Sequence, residues 1–143
     1  MFQNCDYKKI YKSGTGTGKL MPILSEGQLL SYKTIGIADT TLSLFRGNIT
    51  GSFLRKDSLV IENLPNASIK FKNTGNLDSI YISSDNLGQF QVYLEPGSYV
   101  CEISFYNFDN LQLRNIILKS GEVKHAKVLM GHNETSKAID VSK

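Results

Sequence analysis

Leu64-Pro65-Asn66-Ala67-Ser68-Ile69-Lys70-Phe71-Lys72 opens a stretch, running to Met130, that repeats one pattern: a short alternating strand, a tight turn, another strand. Ala67, Ile69 and Phe71 alternate with Ser68, Lys70 and Lys72, so a period of two sends the apolar set to one face and the polar set to water. Ile80 and Ile82 share one face of the next strand. Asp85-Asn86-Leu87-Gly88 then interrupts the alternation: Gly88 supplies the positive φ of a turn, and the Asp85 carboxylate accepts backbone N–H groups. Phe90, Val92 and Leu94 stand against Gln89, Gln91 and Tyr93. Glu95-Pro96-Gly97-Ser98 places Pro and Gly at the central positions of a type II turn, which predicts a hairpin. Its return strand buries Tyr99, Cys101, Ile103 and Phe105. Leu111 and Leu113, then Ile116 and Leu118, change phase near Asn115. After Ser120-Gly121, Ala126, Val128 and Met130 close the sheet. The whole predicts an all-β, antiparallel sandwich.

The chain of 143 residues is long enough for one core and needs no second. Its 41% hydrophobic and 20% charged residues exclude a disordered or fibrous chain. No apolar run approaches the ~18 residues of a membrane helix, so no membrane span is expected. The net charge of +3 is uneven: Lys8, Lys9, Lys12 and Lys19 against Asp6 account for all of it within residues 1–19. Nucleic-acid binders carry a broader basic stripe interleaved with aromatics. The expectation is therefore no nucleic acid, and either a solvated segment or a basic foot on an acidic protein partner. Cys101 alternates with core residues and reads as a small buried hydrophobe, while Cys5 follows Phe2-Gln3-Asn4, which is not a lipobox.

Three segments follow from these patterns. Residues 1–40 read as an extended N-terminal arm with edge strands, 41–131 as the sandwich, and 132–143 as a polar C-terminal tail. Ser13-Gly14-Thr15-Gly16-Thr17-Gly18-Lys19 has three glycines, but its spacing lacks the early Gly and the Ser or Thr after Lys that a phosphate loop needs. Leu29, Leu30, Tyr32, Ile35 and Ile37 suggest further strands, on the sandwich edge or on a neighbouring subunit. The parity break at Leu44-Phe45 predicts a bulge or a strand boundary. Ser52 to Asn63 reads as either a longer loop or an extra strand.

Leu64-Pro65-Asn66-Ala67-x-Ile69-x-Phe71, Ser84-Asp85-Asn86-x-Gly88-x-Phe90 and Leu94-x-Pro96-Gly97-x-Tyr99 also carry a resemblance. Phe45 to Met130 resembles a carboxypeptidase regulatory-like domain of the transthyretin-like superfamily. That resemblance implies a seven-stranded Greek-key sandwich and a non-catalytic accessory role, since these motifs specify a fold well and a task poorly.

Catalysis needs converging groups, and the two histidines offer none at motif spacing. His125 is expected to face away from Ala126 and Val128, and His132 to lie in the tail. No His-x-x-Glu or Cys-pair zinc spacing occurs, so neither an enzyme nor a cofactor is expected. Asp85-Asn86 and Asp109-Asn110 carry oxygen ligands of the kind calcium takes, but Asx residues at turns use the same oxygens on backbone N–H groups. The expected function is a structural building block of a larger assembly, such as a phage virion decoration or a secretion-machine component, docked through its arm. A homo-oligomer is left open. With Met1 read as the native start, a virion or cytoplasm-assembled complex is favoured over the periplasm or cell surface. The competing reading is a periplasmic or cell-surface accessory domain that binds a polymer, peptide or transporter. The candidate partner-binding residues are Tyr7, Lys8, Lys9, Tyr11 and Lys12 in the arm, with Tyr106 and Phe108 at the sandwich end, where aromatic rings suit protein contacts.

Overall fold

A computed structural model describes residues 21–22, 26–132 and 136–142. Tyr7, Lys8, Lys9, Tyr11 and Lys12 lie outside these residues. The described chain is all-β, with strands β1 (Met21–Pro22), β2 (Gln28–Ile37), β3 (Ser43–Arg55), β4 (Ser58–Asn63), β5 (Ser68–Asn73), β6 (Ser79–Ser83), β7 (Gln89–Leu94), β8 (Gly97–Ser104), β9 (Leu111–Leu118), β10 (Glu122–Met130) and β11 (Lys137–Asp140).

They form two sheets, one of six strands and one of five. In the first sheet β3 is shared. Its early half pairs with β7 and its late half with β4 along one edge, while β10 and then β1 line the other, and β2 closes the sheet beyond β10. The second sheet runs β11-β9-β8-β5-β6. Between them Phe45, Ile49, Phe53, Ile69, Phe71, Cys101, Leu113, Ile116 and Met130 are buried. Phe45 meets Phe71 edge-on at 5.0 Å and stacks on Phe90 at 6.0 Å. Gly47 makes that stack possible: a Cβ there would run into the Phe90 ring and stand 2.7 Å from the Ala126 carbonyl.

Several expectations are corrected. The sheets are mixed, because β10 runs parallel to β3 and β11 parallel to β9. Among the described residues they hold eleven strands, two of them of four residues or fewer, rather than seven. Period-two alternation fixes which face a residue occupies but not the direction of its neighbour, so the parallel pairs left no mark. The predicted hairpin at Glu95-Pro96-Gly97-Ser98 is instead a crossing: β7 belongs to the first sheet and β8 to the second. Tyr99 Oη donates to the Glu95 carbonyl at 2.6 Å, the tether of a tyrosine corner, and Gly97 has φ 154° rather than the roughly +80° of a type II turn. Residues 132–143 are not all tail. β11 pairs with β9, and Ile139 and Val141 pack on the core. Of the two readings of Ser52 to Asn63, the extra strand is the one present: it completes a hairpin whose turn, Lys56-Asp57, has both φ angles positive, as a two-residue type I′ connection requires. The strand boundary expected near Leu44 is present, as the start of β3 at Ser43.

Other local readings correspond to what the structure contains. The phase change near Asn115 is a bulge, where Asn115 has φ 62° and the β8–β9 register shifts between Tyr99 and Cys101. Asp85 Oδ1 accepts the N–H groups of Leu87 and Gln89, both at 2.9 Å, and Gly88 has φ 75°. Beside this turn buried Ser84 ties two inter-sheet crossings together. Its Oγ donates to the Leu64 carbonyl at 2.7 Å and accepts the Ala67 N–H at 2.8 Å. Ser84→Ala leaves both backbone groups without that partner, so urea unfolding is expected to show a loss of about 1–3 kcal/mol. Ser83→Ala, on the exposed face one residue earlier, is expected to stay within about 0.5 kcal/mol of the parent. Equal losses in the two variants would remove the special role of Ser84.

Candidate functional site

The outer face of the first sheet is built by the residues that alternate with its core set. Phe45, Gly47 and Ile49 point inward on β3, so Arg46 and Asn48 point outward. Ala126 and Val128 point inward on β10, so His125 and Lys127 point outward. The register then aligns residues far apart in sequence. His125 pairs with Lys33 of β2 on one side and with Arg46 of β3 on the other, and Arg46 pairs with Gln91 of β7. The next row on this face is Ser31, Lys127, Asn48 and Gln89. Three cations and a histidine therefore occupy neighbouring positions on three strands. Lys33, Arg46 and Lys127 are exposed and His125 is half-buried.

An open groove of about 390 Å³ runs beside this row, lined by Arg46, Asn48, Asp85, Gln89, Gln91 and His125 among others. Its lining carries one guanidinium and one carboxylate, with an imidazole and side-chain amides that can donate or accept. The Asp85 oxygen Oδ1 is already engaged by its turn. Partial burial, followed by the charges of Arg46, Lys33 and Lys127, pushes the His125 imidazole below its ordinary 6.5. The face suits an anionic partner, and carboxylates match the planar guanidinium particularly well.

A second polar cluster lies inside the sheet edge. Buried Glu122 accepts hydrogen bonds from Thr34 Oγ1, from Lys124 Nζ at 2.9 Å and from the Lys119 N–H at 3.1 Å. Lys124 Nζ also stands 5.0 Å from the centre of the Tyr32 ring. Burial works to raise the Glu122 carboxyl, but these bonds outweigh it and hold it below the usual carboxylate range. Burial, with the Glu122 charge second, pushes the Tyr32 hydroxyl upward. Thr34 and Lys124 are committed within this cluster, which ties down the turn between β9 and β10.

The sandwich end separates the two aromatic candidates. Tyr106 is 61% exposed, whereas Phe108 is 9% exposed and faces Phe53, Phe105 and His132 with ring centres 5.6, 5.8 and 6.2 Å away. Phe108 is thus a core cap, and only Tyr106 remains available to a partner. His132, expected in a polar tail, is buried, with its Nδ1 at the Asn107 carbonyl. Among the described residues no group of three or more His, Cys, Asp or Glu side chains is placed to hold a metal ion. Cys101 is a buried free thiol whose pKa burial raises.

The basic row was not singled out from the sequence. Lys33, Arg46 and His125 each sit at an outward parity position, but nothing local shows that their strands are neighbours.

The His125 environment is directly measurable. Because its folded-state pKa lies below its unfolded value, the stability linked to it is complete above pH about 6.5 and falls as pH drops through the lower folded value. An NMR titration of the parent is expected to place the His125 midpoint below 6.5, and Arg46→Gln is expected to move it upward. An unchanged midpoint in the variant would separate His125 from the row. Protein-family models give no match to this chain, and a search of curated proteins gives none either.

Proposed function

We propose that this chain is a non-catalytic interaction module, a β-sandwich building block that docks on an acidic protein surface within a larger assembly. The observation that carries the reading is the alignment of Lys33, His125 and Arg46 across three adjacent strands, with Lys127 beside them. With its pKa held below 6.5, His125 separates Lys33 from Arg46, so the row gathers exposed cations on one face without setting two full charges directly opposite one another. The lysines at positions 8, 9, 12 and 19 add positive charge in the same chain. Exposed Tyr93, on β7 in the same sheet as Gln91, and Tyr106 at the sandwich end supply rings of the kind enriched at protein interfaces.

Charge-assisted docking of this kind is steered at long range and weakened by salt. The test is gradient sedimentation of the chain from the cells that make it, comparing the parent with an Arg46→Glu, Lys127→Glu double variant. The parent is expected to travel with a particle much larger than itself and to be released as salt rises. The double variant is expected to stay near the top of the gradient while keeping the parent's thermal midpoint. Equal co-sedimentation of parent and variant, or a parent found only as a free chain, would contradict the reading.

A further inference from the structure

A two-layer sandwich with open sheets has edges, and each edge is a row of backbone N–H and C=O groups that another strand can pair with. Most edges here are blunted. β2 has register shifts on either side of its central residues, with Leu30 and Ile35 left out of the pairing, and it places Lys33 between them. β6 has five residues and β11 four. β7 presents the polar Gln89 and Gln91.

β4 differs. Its six residues, Ser58-Leu59-Val60-Ile61-Glu62-Asn63, pair with β3 in unbroken register, and β3 is the only partner it has among the described strands. Leu59 is 62% exposed and Ile61 59% exposed, while Val60 packs on the core. An edge in unbroken register that exposes two large apolar side chains and has no bulge, proline or lysine is the kind that recruits another strand.

The backbone pattern says which residues would pair. In a hairpin closed by a two-residue turn, the flanking residues Arg55 and Ser58 form a hydrogen-bonded pair. Ser58, Val60 and Glu62 thus direct their backbone groups to β3, and the Leu64 N–H continues the series by donating to the Ile49 carbonyl at 2.9 Å. Leu59 and Ile61 direct theirs to the side away from β3, where no described strand pairs with them.

We infer that this edge pairs with the same edge of a second copy of the chain, antiparallel about a two-fold axis at Val60. That register is selected by the sequence of β4 itself. It makes Leu59 of one copy and Ile61 of the other a hydrogen-bonded pair, twice, so the four exposed apolar side chains cover one another. It sets Val60 against Val60, Ser58 against Glu62 and Asp57 against Asn63, with no like charges opposed. Centring on Leu59 would place Ile61 opposite Asp57, and centring on Ile61 would place Leu59 opposite Asn63. The two first sheets would then join into one continuous sheet. The basic row is carried by β2, β10 and the early half of β3, and none of its charged residues is in β4, so this pairing and the acidic docking proposed above stand or fall separately.

The test is the mass of the full chain in solution between about 1 and about 100 μM, a range suited to so small an interface. Three samples are compared: the parent, Leu59→Lys alone and Ile61→Glu alone, with an equimolar mixture of the two variants as the fourth. The inferred register sets the introduced lysine opposite the introduced glutamate in the mixture, whereas each variant alone faces an apolar residue with a charge. The expected result is a doubled mass for the parent, a single mass for each variant and a doubled mass restored in the mixture. A parent that stays at single mass throughout overturns the inference, whether or not the variants fold. So does a variant that doubles as the parent does, or a mixture that fails to restore the pair. Slow hydrogen exchange of the Leu59 and Ile61 amides that is independent of concentration overturns it as well, since the edge would then be filled from within the same chain.

Discussion

The structure depends on one long strand having both of its edges paired. β3 runs for 13 residues, more than a single neighbour of ordinary length can cover, so four strands share it. The change of partner on one side falls at Ile49, whose N–H donates to the Gly88 carbonyl at 2.7 Å and whose carbonyl accepts the Leu64 N–H. Two turns from different parts of the chain therefore finish on one residue. This explains why Gly88 has no room for a side chain: a Cβ there would lie 2.6 Å from the Ile49 carbonyl oxygen. It also explains why the Ser84 hydroxyl, which fixes the chain between Leu64 and Ala67, is buried beside them. The apolar side of β3 does the rest, since Phe45, Ile49 and Phe53 are all fully buried and anchor most of the aromatic contacts.

What could be read from residues alone was local. Alternation placed Ile69, Phe71, Cys101 and Val128 on the inner face because a strand's side chains switch sides at every residue. The Asx turn at Asp85 and the bulge at Asn115 were legible because their chemistry is contained in four or five residues. The sheet to which each strand belongs was not. Leu94-Glu95-Pro96-Gly97-Ser98-Tyr99 reads equally well as a hairpin or as a corner, and only the Tyr99 hydroxyl reaching the Glu95 carbonyl separates them. The parallel pairing of β3 with β10 was beyond reach for the same reason, because it joins segments some eighty residues apart whose alternation carries no direction. β11 was missed because four residues of mixed polarity give too short a pattern to count.

The candidate surface repeats that division. The core-capping role of Phe108 and the exposure of Tyr106 differ although the two residues stand two apart on one loop, because Phe53 and His132 close over only one of them. The basic row is a product of register: Lys33, Arg46 and His125 come from three strands and meet only once the sheet is assembled. The interior of the sandwich is filled by the packed apolar side chains, and the Glu122 cluster lies where β2 meets β10. Among the outward-facing features are the cations on one face of the first sheet and the exposed Leu59 and Ile61 on its β4 edge.

Native-state hydrogen exchange tests the central place of β3 most directly. The account predicts that amides from Phe45 to Thr50, paired on both sides, exchange only through global unfolding, as slowly as any in the protein. Exchange of those amides through a partial opening, while β5 and β8 of the second sheet remained protected, would contradict it.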